Sequence, residues 1–447
     1  MQGLHKLIIV VIIVLFLVIF LRFFFSNKTP YYNREKFFES YKYELQYKLE
    51  QLESEVEEEK SELGKLSETI LNFEKEVKTW NTKKKSGNTI IPVVILTCNR
   101  VDGVQHLLSK LIKIRPSAKT FPLYVSQDCD NDTISNMINK KFSDSVTYVK
   151  HISPLKENLT IEKKMISYKV YYYISRHYKL ILKHIFEKLK YEAVILLEDD
   201  LDISEDFFSY FNATYHQLLK KDKSIYCISA WNDNGLPELI DLKNNNGLYR
   251  TDFFPGLGWL MSKDLWFEIG NQWPPGFWDD WIRKPEVRKD RACIRPEISR
   301  TSMTVFGKKG ASNGYLFDKY LSNIKLNNVN IDFNSLDLSY LRKENYDKYY
   351  MNLVYDKSKV VSLYDLEKYP NEANVESDKF LRMEYRTFNE YKKIASYLNI
   401  MTDFKEGVGR TAYKGIITTY ISGYRIFLAP VKDEWKGYNR SWENIIS

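Results

Sequence analysis

The sequence predicts an α/β protein with a parallel sheet, carried on a membrane anchor and a coiled-coil stem. Three observations predict it. Short continuous apolar runs alternate with amphipathic helical stretches from residue 90 onward. An unbroken apolar run of fifteen residues, Leu7 to Leu21, lies at the amino terminus. Between them, residues 38–80 carry an apolar heptad.

The amino-terminal run continues past Arg22 into Phe23-Phe24-Phe25, which brings it near the ~20 residues that cross a bilayer core. Arg22 can snorkel to the interface. A cleaved signal peptide needs small residues at its cleavage site, whereas bulky Phe residues follow this run. An uncleaved anchor over 7–25, behind a short tail over 1–6, is therefore expected. Lys6 on one side and Arg22 and Lys28 on the other leave the orientation undecided.

In the stem, over 26–88, Leu45, Leu49, Leu52, Val56, Leu63, Leu66, Ile70, Phe73, Val77 and Trp80 step by alternate threes and fours. Only Glu59 breaks the seam, and Glu and Lys fill most other positions. This pattern predicts a coiled coil that pairs chains. A single amphipathic helix lying on a partner is the simpler alternative. Residues 82–89 are polar, include Gly87, and read as a linker.

The chain as a whole is globular in composition. It has 44% hydrophobic and 15% aromatic residues, enough for a large core and for aromatic-lined sites. The net charge of +8 comes from 66 basic and 58 acidic residues spread thinly, with no basic stripe, so no nucleic-acid partner is expected. The four cysteines contain no CxxC, which excludes zinc ribbons and thioredoxin-like motifs. No histidine lies beyond His216, so the second half holds no catalytic or metal-binding histidine.

The apolar runs at 91–97, 121–125, 193–197 and 225–229 read as strands, and several end in polar residues. The first leads to Arg100, the second to Asp128, and the third to Glu198-Asp199-Asp200. In open parallel sheets, ligands bind beyond the carboxyl ends of the strands. Three consecutive acids there repel one another and resist burial unless a cation relieves them. A hard divalent ion that shares carboxylate and diphosphate oxygens fits; acids that merely cap a helix are the plainer alternative. No GxGxxG or Walker-type loop is present. Phe277-Trp278-Asp279-Asp280-Trp281 sets two acids among aromatics, which suits a general base in a partly apolar pocket, or simply an aromatic core with surface acids. Residues 253–259 place two glycines beside aromatics, and residues 307–314 read as a mobile loop with three glycines and two lysines. Residues 416–428 read as a hairpin turning near Ser422-Gly423.

These landmarks, in this order, resemble the N-acetylglucosaminyltransferase I family of glycosyltransferases. The similar stretches are VSQDC (125–129), VILLEDDLDISEDFFSYF (194–211), CISAWNDNG (227–235), LYRTDFFPGLGWL (248–260), FWDDW (277–281), RACIRPEISRT (291–301), FGKKGASNG (306–314) and LDLSYL (336–341). The resemblance runs from about residue 90 to the end. It implies a GT-A-type, Rossmann-like nucleotide-sugar domain over 89–315 and a smaller carboxy-terminal domain over 316–447. It implies an inverting enzyme that moves N-acetylglucosamine from UDP-GlcNAc, in β-1,2 linkage, to the α-1,3-arm mannose of an N-glycan on glycoproteins.

The resemblance also implies roles. Asp200 would be the sole direct protein ligand of Mn²⁺. Glu198 would hydrogen-bond the transferred sugar, with Asp199 near the ribose and metal. Arg100, Asp128 and His177 would hold the uridine end. Asp279 would be the catalytic base, with Trp278 beside the sugar, and Ser312 would belong to a lid over the donor. The family's cysteine pairing implies disulfides Cys98–Cys129 and Cys227–Cys293. Disulfides need an oxidising lumen, so the expected location is the Golgi membrane, as a single-pass type II protein with its head in the lumen. Sequons at Asn131, Asn158, Asn212 and Asn439 are compatible with that side. Two departures stand out: residues 301–307 look two residues longer than the family's run, and Asn313 stands where His is expected. Alternatives are a related enzyme acting on O-linked mannose and an inactive Golgi scaffold. A hydrolase fits less well, because the acids do not read as two opposed carboxylates.

Overall fold

The computed structural model describes residues 31–83, 89–157, 159–309, 314–366 and 379–443, with positions 14, 15, 18 and 22 before them. The chain forms two units, Met1–Gly87 and Asn88–Ser447. Most of the expected anchor lies outside the described residues. Among those that are described, no helix is long and apolar enough to cross a membrane.

The first unit is helix α1, Tyr31–Lys83. Its 53 residues span about 80 Å at 1.5 Å per residue. The heptad residues Leu45, Leu49, Leu52, Val56 and Leu63 are exposed along it. A helix this rich in Glu and Lys, with an apolar seam, is the form a two-stranded coiled coil takes in each chain.

In the second unit the chain runs β1 (Val93–Thr97), α2 (Val101–Ile114), β2 (Leu123–Gln127), α3 (Asp132–Lys141), β3 (Val146–Lys150), α4 (Lys169–Lys183), β4 (Ala193–Glu198) and β5 (Leu201–Ile203). Then follow α5 (Phe207–Thr214), β6 (Ile225–Ser229), β7 (Leu248–Thr251), β8 (Trp259–Ser262), α6 (Lys263–Ile269), α7 (Trp278–Arg283), β9 (Ala292–Pro296) and β10 (Thr301–Met303). Eight strands form one sheet in the order β3-β2-β1-β4-β8-β6-β9-β7. β10 pairs with β5 in a small antiparallel ribbon.

The inner strands explain why the sequence shows continuous rather than alternating apolar runs. Val93 and Ile95 of β1 enter one core cluster, while Val94 and Leu96 enter the cluster on the opposite face. β4 does the same, with Ala193, Ile195 and Leu197 on one face and Val194 and Leu196 on the other. Strands covered on both faces are apolar at every position. Val104, Leu107, Leu108 and Leu111 of α2 are fully buried against the first face. Each such side chain contributes about 1.5–3 kcal/mol.

The expected parallel sheet holds for β3, β2, β1 and β4, which run parallel. Beyond them β6 and β9 also run parallel to each other and in the same sense as β4. β8 lies antiparallel between β4 and β6, and β7 lies antiparallel on β9. β7 and β8 thus run against the other six strands of the sheet.

The carboxy-terminal part contains β11 (Lys359–Val360), β12 (Phe380–Tyr385), β13 (Phe404–Lys405), β14 (Val408–Gly409), β15 (Ile417–Ile421) and β16 (Tyr424–Pro430). Helix α8 (Lys343–Met351) precedes them, and α9 (Phe388–Tyr397) lies among them. A four-stranded sheet has the order β11-β12-β16-β15. β15 and β16 form the expected hairpin, with Ser422 and Gly423 at φ of 52° and 90° in its turn. Core packing is continuous with the first sheet: Tyr413, Ile416, Phe427 and Ala429 share a cluster with Val93 and Ile95.

Candidate active site at the carboxyl ends of the central strands

β2, β1 and β4 are parallel neighbours, with Thr97 paired to Gln127 and Leu96 to Glu198. Their carboxyl ends therefore lie along one edge. That register places Asp128 and the three acids along the same edge, and Arg100 follows β1 there. The Cys98–Cys129 disulfide ties the ends of β1 and β2, with Cα atoms 5.1 Å apart. Cys227–Cys293 joins β6 to β9. Both pairings match those implied by the resemblance.

The acid cluster is buried, with Asp199 and Asp200 at 4% and 5% exposure. Arg100 Nη1 lies 2.5 Å from Asp199 Oδ1 and 3.0 Å from Asp200 Oδ2. Thr97 Oγ1 donates to Asp199 Oδ2 at 2.6 Å, and the Tyr178 hydroxyl donates to Glu198 Oε1 at 3.0 Å. Burial raises the pKa of all three carboxyls; beside it, Asp200 and Asp199 push Glu198 up and Asp199 pushes Asp200 up. The remaining oxygen, Asp200 Oδ1, is buried without a hydrogen-bond partner among the described residues. Thr304 holds the Asp200 backbone carbonyl through both its N–H and its hydroxyl, each at 2.8 Å. A fixed, buried and bare carboxylate oxygen is what a hard cation needs from a protein that supplies one ligand. The residues fit the metal.

Cys98, Asp128 and Cys129 also bring potential ligand atoms within 4.8 Å of one another. The two sulfurs are bonded to each other, however, so no thiolate is present to bind a metal. This group is a disulfide beside an acid rather than a metal centre.

Just past the end of β2, Asp128 and His177 are buried together, His177 Nδ1 lying 3.5 Å from Asp128 Oδ1. Ser126 Oγ sits 2.8 Å from His177 Nε2 and 3.0 Å from His151 Nε2. Burial pushes the Asp128 carboxyl up to about 6 against the nearby Arg176. Burial pushes His177 down to about 3, with His151 and Arg176 adding to the effect. His177 is thus a neutral imidazole at pH 7.

Trp278 is buried, its ring stacked between Trp259 at 5.7 Å and Trp273 at 5.5 Å, and 4.3 Å from Tyr178. Tyr178 therefore links Glu198 to the start of α7. Asp279, the next residue, does not sit in the apolar pocket that its aromatic flanks predicted. Its side chain is 42% exposed, and Arg283 Nη1 lies 3.1 Å from its Oδ2. One turn of helix carries Arg283 onto the same face as Asp279, where it also holds Asp280 at 2.8 Å. Ser312 and Asn313, in the expected lid, lie outside the described residues.

Several neighbours escaped the sequence reading. Arg283 could have been found from its i+4 spacing to Asp279. Thr97 is merely the last residue of an apolar strand, 102 positions from Asp199. Ser126 lies within the VSQDC stretch but is not singled out there, and nothing local to His151 or Tyr178 announces a site.

The chain is similar to known proteins. The family model described as the GNT-I family matches residues 4–442. An Arabidopsis thaliana protein named alpha-1,3-mannosyl-glycoprotein 2-beta-N-acetylglucosaminyltransferase is 37% identical over 372 residues, covering 82% of this chain and 80% of its own. Solved structures resemble the chain only loosely. GalNAc-T7 with UDP, GalNAc and Mn2+ has a TM-score of 0.35 at 11% identity, over 49% of this chain and 44% of that one. The mannosyltransferase PcManGT from Pyrobaculum calidifontis, in complex with GDP-Man and Mn2+, has a TM-score of 0.31 at 12% identity, over 47% and 57%. Likenesses this distant carry no argument about chemistry. The family match and the extent of the Arabidopsis alignment do: the chain belongs to the GNT-I family.

Proposed function

We propose that this protein is an inverting, GT-A-type glycosyltransferase that moves N-acetylglucosamine from UDP-GlcNAc, in β-1,2 linkage, to the α-1,3-arm mannose of a high-mannose N-glycan. Family membership sets the reaction class. The observation that carries the reading is the bare, buried Oδ1 of Asp200 at the strand-end edge. Asp200 would hold Mn²⁺, which when bound supplies Lewis-acid stabilisation of the departing diphosphate.

The remaining work falls to side chains. Arg100, Asp128 and neutral His177 bind the uridine end. Asp199, tied by Thr97 and Arg100, fixes the loop beside it. Glu198, held by Tyr178, orients the transferred sugar, and Trp278 supports that side. Asp279 is exposed enough to meet an incoming acceptor and takes the proton of the mannose 2-hydroxyl. Oxygen attacks the anomeric carbon as the bond to UDP breaks, which turns an α donor into a β product. Ser312 belongs to the segment that closes over the donor.

The cellular setting belongs to the same proposal. The apolar run over 7–25 anchors the chain as a type II Golgi membrane protein, α1 pairs two copies, and the disulfides require an oxidising lumen.

The test uses the full chain in detergent with UDP-GlcNAc, a five-mannose N-glycan, and either Mn²⁺ or chelator. The expected result is metal-dependent addition of one β-1,2-linked residue. Metal-dependent UDP binding without transfer would redirect the acceptor to O-linked mannose. Neither binding nor transfer would leave a scaffold and overturn the reading.

A further inference from the structure

A cavity of about 690 Å³ opens at the junction of β7, α8 and the β15–β16 hairpin. It shares no lining residue with the strand-end acids. Six tyrosines line it: Tyr249, Tyr340, Tyr346, Tyr349, Tyr350 and Tyr420. Its size falls within the ~300–1,000 Å³ typical of small-molecule sites.

Three features separate it from a packing defect. First, tyrosines give aromatic faces and hydroxyls together, whereas core voids are lined by aliphatic groups. Second, Tyr346 is 2% exposed, yet its hydroxyl has no hydrogen-bond partner among the described residues. A buried hydroxyl left bare is costly unless a ligand or water meets it. Third, Tyr349 at the edge is 58% exposed, and Tyr340 is 37% exposed. Aromatic rings held out beside a concave surface mark contact sites.

The charged lining is Asp241, Lys243, Lys379 and Arg425, with both lysines at exposed positions. Arg425, the guanidinium of the cavity, is committed: its Nη1 lies 2.8 Å from Glu297 Oε1, and it lies over the Tyr249 and Tyr420 rings at 5.8 and 5.1 Å. Glu297 is buried and also accepts from the Asp241 N–H, so the ion pair is locked in place. Asn244, Asn246 and Asp241 supply amide and carboxylate groups at the wall. Aromatic faces with amide and hydroxyl partners match pyranose rings, which offer C–H faces and a rim of hydroxyls.

We propose that this cavity is a second carbohydrate-binding site, separate from the strand-end centre, that holds the unreacted part of an oligosaccharide. The choice of a mannose-rich glycan as probe rests on the function proposed above. The cavity's affinity for sugars does not.

The experiment is saturation-transfer NMR of the five-mannose N-glycan on the full chain, with chelator and without donor. Two variants accompany it. Tyr349→Ala removes an exposed ring, and Asn246→Trp fills the mouth from an exposed position. The expected result is saturation of mannose ring protons by the unmodified chain and binding at least about fivefold weaker in both variants. Both variants should transfer to a simple α-mannoside acceptor at the unmodified rate. Unchanged glycan binding in both variants would overturn the proposal. So would a cavity that takes UDP or inorganic phosphate, blocked by Asn246→Trp, in place of the glycan. Glycan binding that depends on the cavity in a chain without transfer activity would sink the proposed reaction and leave this site standing.

Discussion

Asp279 is a carboxylate in partial solvent with one cation, Arg283, against it. A base in that position acts on an acceptor that approaches from outside and has no part in holding UDP. Asp279→Ala should therefore lower kcat by roughly 10²–10⁴-fold. Metal-dependent UDP affinity, read by calorimetry, should stay unchanged. His177 supports a prediction on stability. Unfolded, it takes a proton near its ordinary value of 6.5; folded, burial delays this to about 3. The unfolded state holds the extra proton across that window, so stability is present above pH 6.5 and is lost as pH falls. His151, lowered to about 4 by burial, acts in the same direction. Asp128, raised to about 6, opposes both, because its folded form protonates first, and Glu198, Asp199 and Asp200, all raised by burial, oppose them too. Comparison with His177→Gln, which keeps a partner for Ser126, isolates the histidine. Between pH 7 and pH 5, scanning calorimetry should show a change in Tm that is less destabilising in His177→Gln than in the unmodified chain. An equal change in both chains would place the acid sensitivity elsewhere.

Among the elements, the contact between α2 and the end of β4 is the tightest constraint on the acids. A Cβ added at Gly103 would lie 2.3 Å from the backbone oxygen of Asp199. Gly103→Ala should force the two apart, at a cost of about 1–3 kcal/mol. It should also weaken Mn²⁺-dependent UDP binding more than it lowers Tm by itself would explain, as paired calorimetry and binding would show. The stem makes its own prediction. The full chain should sediment as a dimer, and Leu52→Glu with Val56→Glu should make it monomeric without changing activity per chain. Legibility in the sequence followed burial. β1, β2 and β4 were readable because their five or six residues are almost wholly buried. β8 was not, since four residues beside a glycine turn carry no period. β3 was missed for the opposite reason: it is a half-exposed edge strand. The acids were readable because charge at the end of an apolar run is locally anomalous. Thr97 and Tyr178 became partners only through the parallel pairing and the packing of α4, which no short window contains.

At the scale of the molecule, the sequence suggests a boundary near residue 315, while the packing passes through that point. Tyr413, Ile416 and Phe427 are at most 3% exposed and belong to the cluster under β1. At about 1.5–3 kcal/mol each, these three side chains are comparable to the 5–15 kcal/mol that stabilises an ordinary domain. Arg425 of β16 also neutralises Glu297, which is 1% exposed just after β9. Removing one partner of a buried pair typically costs about 3–5 kcal/mol. A chain cut after residue 378 keeps every proposed donor, metal and base residue, yet loses β12–β16. If those residues formed a self-sufficient site, the shortened chain would still bind UDP with Mn²⁺. The packing argues otherwise: it should accumulate as insoluble protein in an oxidising host, while the full chain made alongside it stays soluble and binds UDP. Replacing Glu297 by Gln in the shortened chain removes the stranded charge but not the exposed apolar face. That variant should therefore recover little solubility, which separates loss of the shared core from loss of the ion pair.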